Sequence, residues 1–144
     1  MVYKTIISAD DLKVNLDNDN FLIFDSRCDI KDSGYGIDSY TEGHIPNSIF
    51  IDVDTDLASE KRPGTGRHPL PDPNTFSEKL SHWGMSNSKQ VVVYDDAGGA
   101  FAGRLWWMLK WLGHEAVAVL DGGLNSWVKG GNKLVTTPTV FEKA

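Results

Sequence analysis

The sequence predicts an α/β fold with a largely parallel sheet and helices on both of its faces. Three observations carry this. First, Phe21–Phe24, Ile49–Ile51, Val91–Tyr94 and Ala116–Leu120 are short runs that are apolar throughout rather than alternating. That is the pattern of strands buried on both faces. Second, the segments between them carry apolar residues at helical spacing. Third, the breaks fall at turn residues, as in Asn18-Asp19-Asn20 and Asp95-Asp96-Ala97-Gly98-Gly99. Right-handed crossovers between parallel strands then place helices on both faces.

Taken in order, Ser8 is an N-cap with Asp11 three residues on, opening a short helix that carries Leu12, Val14 and Leu16. The strand Phe21–Phe24 ends at Asp25-Ser26-Arg27-Cys28. Asp29–Asp38 reads as a long polar loop with two glycines. Ser39–Ser48 reads as a single helical turn, closed by Gly43 and stopped by Pro46. The strand Ile49–Ile51 ends at Asp52-Val53-Asp54. Thr55–Thr75 is a long loop rich in proline, glycine and charge, and loops of that length are often functional. Pro73 and Gly84 bracket a helix carrying Phe76, Leu80 and Trp83.

The strand Val91–Tyr94 leads into Asp95–Ala100, and a helix over Phe101–Leu112 follows, with Gly113 to end it. Phe101, Leu105, Met108, Leu109 and Leu112 form one apolar face, and Trp106, Trp107 and Trp111 extend it most of the way round. Wide apolar coverage predicts burial on more than one side. It suits a thick core, or a tryptophan flank that meets a second domain or subunit. After Ala116–Leu120, a helix through Leu124 and Trp127 stops at Gly130-Gly131. Residues 1–131 are read as the domain and 132–144 as a linker or outer tail.

Composition narrows the function. With 14 Lys plus Arg against 20 Asp plus Glu, the net charge is −6, and no basic stripe is available for nucleic acid. No run approaches the roughly 20 apolar residues of a membrane span, and the first residues lack the apolar core of a signal peptide. A cytoplasmic location is expected. A lone cysteine, Cys28, excludes an internal disulfide. The histidines (His44, His68, His82, His114) lack metal-ligand spacing, so no metal or cofactor is expected. In open parallel sheets ligands sit at the carboxyl ends of the strands, which points to Asp95–Ala100 as the candidate site.

Several stretches together carry a resemblance. They are Phe24-Asp25-Ser26-Arg27, Glu42–Ser48, Phe50–Asp54, Val91–Asp95, Arg104–Met108, Leu112-Gly113-His114 and Leu120–Leu124 with Trp127. In this order the chain resembles the rhodanese-like sulfurtransferases, and more narrowly the first, non-catalytic domain of the two-domain thiosulfate and 3-mercaptopyruvate enzymes. The resemblance implies a five-stranded, mostly parallel sheet. It also implies a loop after the fourth strand where catalytic members carry a cysteine that takes up a sulfane sulfur as a persulfide, stabilised by backbone N–H groups and a helix N-terminus. Asp95 holds that position, so this loop lacks the reactive group. The implied partner is a catalytic C-terminal rhodanese domain, and the implied ligand is a small anionic sulfur donor. Asp54 and His68 match an Asp–His pair that assists proton transfer at the shared cleft. Arg67, Phe101 and Arg104 are candidate substrate-binding residues, and Lys61, Arg62 and Arg67 make their loop basic enough to attract an anion. An orphaned tryptophan-rich interface would favour homo-oligomers.

Other readings compete. Asp95-Asp96 after a buried strand could serve phosphoryl transfer, although such enzymes space their acids D-x-D. Cys28, just past a strand end, could act as a sulfur carrier by itself. The domain could also bind anions without turning them over.

Overall fold

The computed structural model describes residues 2–58 and 71–139. Ten elements run along the chain: β1 (Ile6–Ile7), α1 (Ala9–Val14), β2 (Phe21–Asp25), α2 (Tyr35–Glu42), β3 (Ser48–Phe50), α3 (Pro73–His82), β4 (Gln90–Tyr94), α4 (Ala102–Trp111), β5 (Val117–Leu120) and α5 (Gly123–Lys129). The strands form one sheet in the order β1-β5-β4-β2-β3, and every pairing in it is parallel. This is the predicted class, with five strands and helices on both faces.

Strand alternation sorts the core into two layers. Leu22, Phe24, Ile49, Val91, Val93 and Val117 face one side, where α3 and α4 bring Phe76, Leu80, Leu105, Met108 and Leu109. Ile23, Val92, Tyr94, Ala118 and Leu120 face the other, where α1 and α5 bring Leu12, Leu124 and Trp127. Both faces are dry, which is why the strands read as unbroken apolar runs.

Three details depart from the sequence reading. The fifth strand is Ile6–Ile7, a pair too short to show any period. It forms because Thr5 and Ile7 carbonyls accept from Val119 and Asp121 N–H groups. The helix before β3 starts at Tyr35, inside the stretch read as loop. Gly36 makes this possible: a Cβ there would run into the Arg27 carbonyl and the Phe50 ring. α4 buries only Ala102, Leu105, Met108 and Leu109. Trp106 packs against the edge of the core, whereas Trp107 and Trp111 are 49% and 42% exposed and stack on each other at 6.1 Å outside it. Residues beyond α5, up to Thr139, return along α2 and β3. Val135 exchanges backbone hydrogen bonds with His44, and Thr139 Oγ1 donates to Ser48 O at 2.5 Å.

Among the described residues no helix is long and apolar enough to cross a membrane, and no group of acidic, cysteine and histidine side chains is placed to hold a metal ion.

Candidate functional site

The strand order places the site. The chain moves outward from β2 to β3, then returns to lay β4 against the other side of β2. The order therefore reverses between β2 and β4. At such a switch point the loops leaving the two strands part and open a crevice at the carboxyl edge. Here the loops are Ser26–Lys31 after β2 and Asp95–Phe101 after β4.

Asp95 closes the β4 side. Its side chain is turned into its own loop and is 1% exposed. Oδ1 accepts from Ala97 N at 3.0 Å and Gly99 N at 2.9 Å. Oδ2 accepts from Phe101 N at 2.9 Å and Ala102 N at 2.8 Å. Four backbone N–H groups, two of them opening α4, thus surround one carboxylate, and the helix dipole adds to the favourable field. The loop is clamped from behind by Leu124 N, which donates to Asp95 O at 2.9 Å. Gly123, at φ 59°, passes so near that a Cβ would lie 2.5 Å from that carbonyl oxygen.

The β2 side rests on a buried ion pair. Arg27 Nε and Nη2 donate to Asp25 Oδ2 at 3.0 and 2.7 Å, and Nη2 also donates to Gly43 O at 2.6 Å. Burial pulls the Arg27 guanidinium down, but the hydrogen bonds and charge of Asp25 outweigh it and leave it above its usual range. Tyr94 Oη donates to Asp25 Oδ2 at 2.8 Å, takes Ile45 N–H at 3.1 Å and lies 3.0 Å from Ser48 Oγ. Burial, reinforced by Asp25, pushes this phenol well above its ordinary value. His44 is fully buried, its ring nitrogens 2.8 Å from Tyr40 O and 3.0 Å from Thr137 O. Arg27 and His44 therefore build the rim rather than reach into the crevice.

The crevice itself is an open cavity of about 610 Å³ lined by Cys28, Asp29, Ile30, Lys31, Tyr35, Asp96 and Phe101. Tyr35 Oη donates to Asp96 Oδ2 across its mouth. That bond, with burial behind it, raises the Tyr35 phenol. The Cys28 thiol is pushed up to about 11 by burial and then by Asp54, Asp52 and Asp29. It is therefore a neutral thiol at physiological pH, and the thiolate is the nucleophilic form.

Of the residues singled out from sequence, Phe101 lines this cavity and Asp95 backs it. Asp54 lines a narrower recess beside it, with Arg27, Cys28 and Asp52. Arg104 is not among the described residues lining the cavity; its Nε and Nη2 donate to Leu57 O at 3.1 and 2.7 Å. Arg67 and His68, with Lys61 and Arg62, lie outside the described residues. Sequence reasoning placed Asp96 in the candidate loop but missed Ile30, Lys31 and Tyr35 as lining residues. The only available signal was their position just past two buried strands. Chemically, Asp95 offers no free oxygen: both are bonded to N–H groups, a geometry that does not present a nucleophile to a phosphorus centre.

The chain matches the model of the rhodanese-like domain over residues 8–130. It is 45% identical over 128 residues to a probable 3-mercaptopyruvate sulfurtransferase of Pseudomonas aeruginosa, covering 88% of this chain and 45% of that protein. It is 37% identical over 109 residues to the thiosulfate sulfurtransferase of Rattus norvegicus, covering 73% of this chain and 35% of that protein. The structure superposes on the 3-mercaptopyruvate sulfurtransferase from Leishmania major with a TM-score of 0.83 at 30% identity, covering 98% of this chain and 41% of that one. The chain thus spans less than half the length of these relatives.

Proposed function

The chain belongs to the rhodanese-like domain family, and on that premise we propose that it is the N-terminal, non-catalytic half of a two-domain sulfurtransferase. In this reading it completes a cleft and seats a catalytic C-terminal rhodanese domain. The donor is thiosulfate or 3-mercaptopyruvate, and the acceptor is a thiol or cyanide.

One observation carries the reading: the N–H cradle after β4 is filled by the Asp95 carboxylate. Sulfur transfer from thiosulfate needs a thiolate that attacks the outer sulfur, so that the S–S bond breaks and sulfite leaves. A carboxylate cannot carry the sulfur as a persulfide, and the anion in this cradle is already the chain's own. Cys28 does not replace it, because its thiol is held neutral by burial and three aspartates. The sulfur-carrying cysteine then belongs to the partner domain. Phe101 supplies a wall of the cleft. Asp54 and His68 are assigned to proton transfer there, and Arg67 to the substrate's charge; Arg104, expected from sequence to share that role, donates to Leu57 O instead. The exposed Trp107–Trp111 pair gives a second domain or a second copy an apolar surface to cover.

The test is a sulfur-transfer assay. The 144-residue chain, alone and as Cys28→Ser, is given thiosulfate with cyanide, or 3-mercaptopyruvate with a dithiol. The expected result is no turnover in either protein. Turnover by the native chain that vanishes in Cys28→Ser would overturn the proposal.

A further inference from the structure

The crevice holds one cation whose charged end is unengaged among the described residues. Arg27 is spent on Asp25 and Gly43 O, and Arg104 is turned to Leu57 O. Lys31 is exposed and lines the cavity together with Phe101 and Tyr35. Its backbone N–H donates to Asp29 Oδ1 at 2.9 Å, which fixes where the chain turns. Its ammonium makes no hydrogen bond or ion pair with a described residue. Asp29 accepts that backbone N–H at Oδ1, and Asp96 accepts from the Tyr35 hydroxyl at Oδ2.

We propose that Lys31 is the anion-binding residue of this crevice, taking the carboxylate or sulfonate end of a small sulfur donor while Phe101 and Ile30 contact its less polar part. The inference deepens the sulfurtransferase reading and rests on it for the identity of the donor. Three facts point the same way, and the acids of the rim are the opposing one. The topology opens the crevice at the switch point, where small ligands bind. Phe101 and Ile30 give it an apolar wall. Asp29 and Asp96 on its rim, and Asp52 and Asp54 in the adjoining recess, act against an anion, and Lys31 offsets part of their charge. Among the described residues lining the cavity, Lys31 alone supplies positive charge. A lysine on a flexible stem acts as a point charge and does not demand the paired oxygens that an arginine fork selects. It therefore suits both a planar carboxylate and a tetrahedral sulfonate.

The experiment is a titration of the 144-residue chain with thiosulfate, and separately with 3-mercaptopropionate, at constant ionic strength. It is followed through the backbone amide resonances of Asp29–Lys31, Tyr35, Asp96 and Phe101. The native chain is expected to give saturable shifts at these amides. Lys31→Ala should raise Kd about fivefold or more, the equivalent of one exposed charge contact in water. Lys31→Arg should stay near native, and Lys13→Ala, on α1, should be unchanged. Unshifted amides elsewhere confirm that the variants are folded. Absence of saturable shifts in the native chain overturns the assignment, as does equal affinity in Lys31→Ala. Sulfur transfer is not read in this experiment. Lys31-dependent binding together with sulfur transfer by the native chain would therefore count against the non-catalytic reading and leave the anion site standing.

Discussion

Tyr94 donates its hydroxyl hydrogen to Asp25 at 2.8 Å, joining the carboxyl ends of β4 and β2 where the strand order reverses. Both residues are fully buried. Through Asp25 the bond reaches Arg27, and through the Tyr94 oxygen it reaches Ile45 and Ser48. One network thus holds the crevice floor.

Breaking that network is expected to be costly. Tyr94→Phe leaves Asp25 short of a donor and the Ile45 N–H without an acceptor, a loss of about 1–3 kcal/mol. Arg27→Met strands a buried carboxylate and should cost about 3–5 kcal/mol. Urea unfolding of the two variants checks both the sizes and their order.

Asp95→Asn keeps the shape of the side chain but turns an NH₂ group toward two N–H donors. It should lose about 2–3 kcal/mol, the cost of buried groups left unsatisfied. In Asp95→Ala all four donors lose their acceptor, and added formate should restore part of the loss in the same unfolding experiment. Native-like midpoints for both variants would show that the loop does not depend on the carboxylate.

Cys28 should be sluggish toward alkylation near neutrality. Its rate should climb with pH toward a midpoint near 11, because burial and the neighbouring aspartates hold the proton. The stability sign follows from the same shift. The folded pKa lies above the ordinary value of 9.0, so the folded state binds this proton more tightly. Its contribution is complete below pH 9.0 and is lost as pH rises through about 11. Tyr94, also raised, acts in the same direction above its ordinary value of 10.0. Unfolding free energies measured across the alkaline range should fall, and Cys28→Ser should make the early part of that fall shallower.

Gly36→Ala tests the start of α2. In an open helix, alanine would gain about 1 kcal/mol over glycine. Here the added methyl meets the Arg27 carbonyl and the Phe50 ring, and overpacking of that kind costs about 1–3 kcal/mol. A lower thermal midpoint is expected. A higher one would place Gly36 away from that contact.

The sequence by itself determined the strands that are buried on both faces. Val91–Tyr94 is apolar at every position because helices cover the sheet on each side, so its local pattern already contains its environment. The first cap was equally legible: Ser8 accepts from Asp11 N. So was the loop Asp95–Ala100, since a buried strand must end where turn residues begin. Tertiary structure decided the rest. Ile6–Ile7 is a strand only because β5 offers it an edge. Tyr35–Glu42 starts early because Gly36 can sit against Arg27, although two glycines so close together read as loop. Trp107 and Trp111 have the helical spacing of a core face, yet the sheet reaches only the opposite side of α4. Lys31 and Phe101 line one crevice although 70 residues separate them in the sequence. A residue's own neighbours fix its period and its caps. Which loops converge depends on strand order, and that is set by which faces pack together.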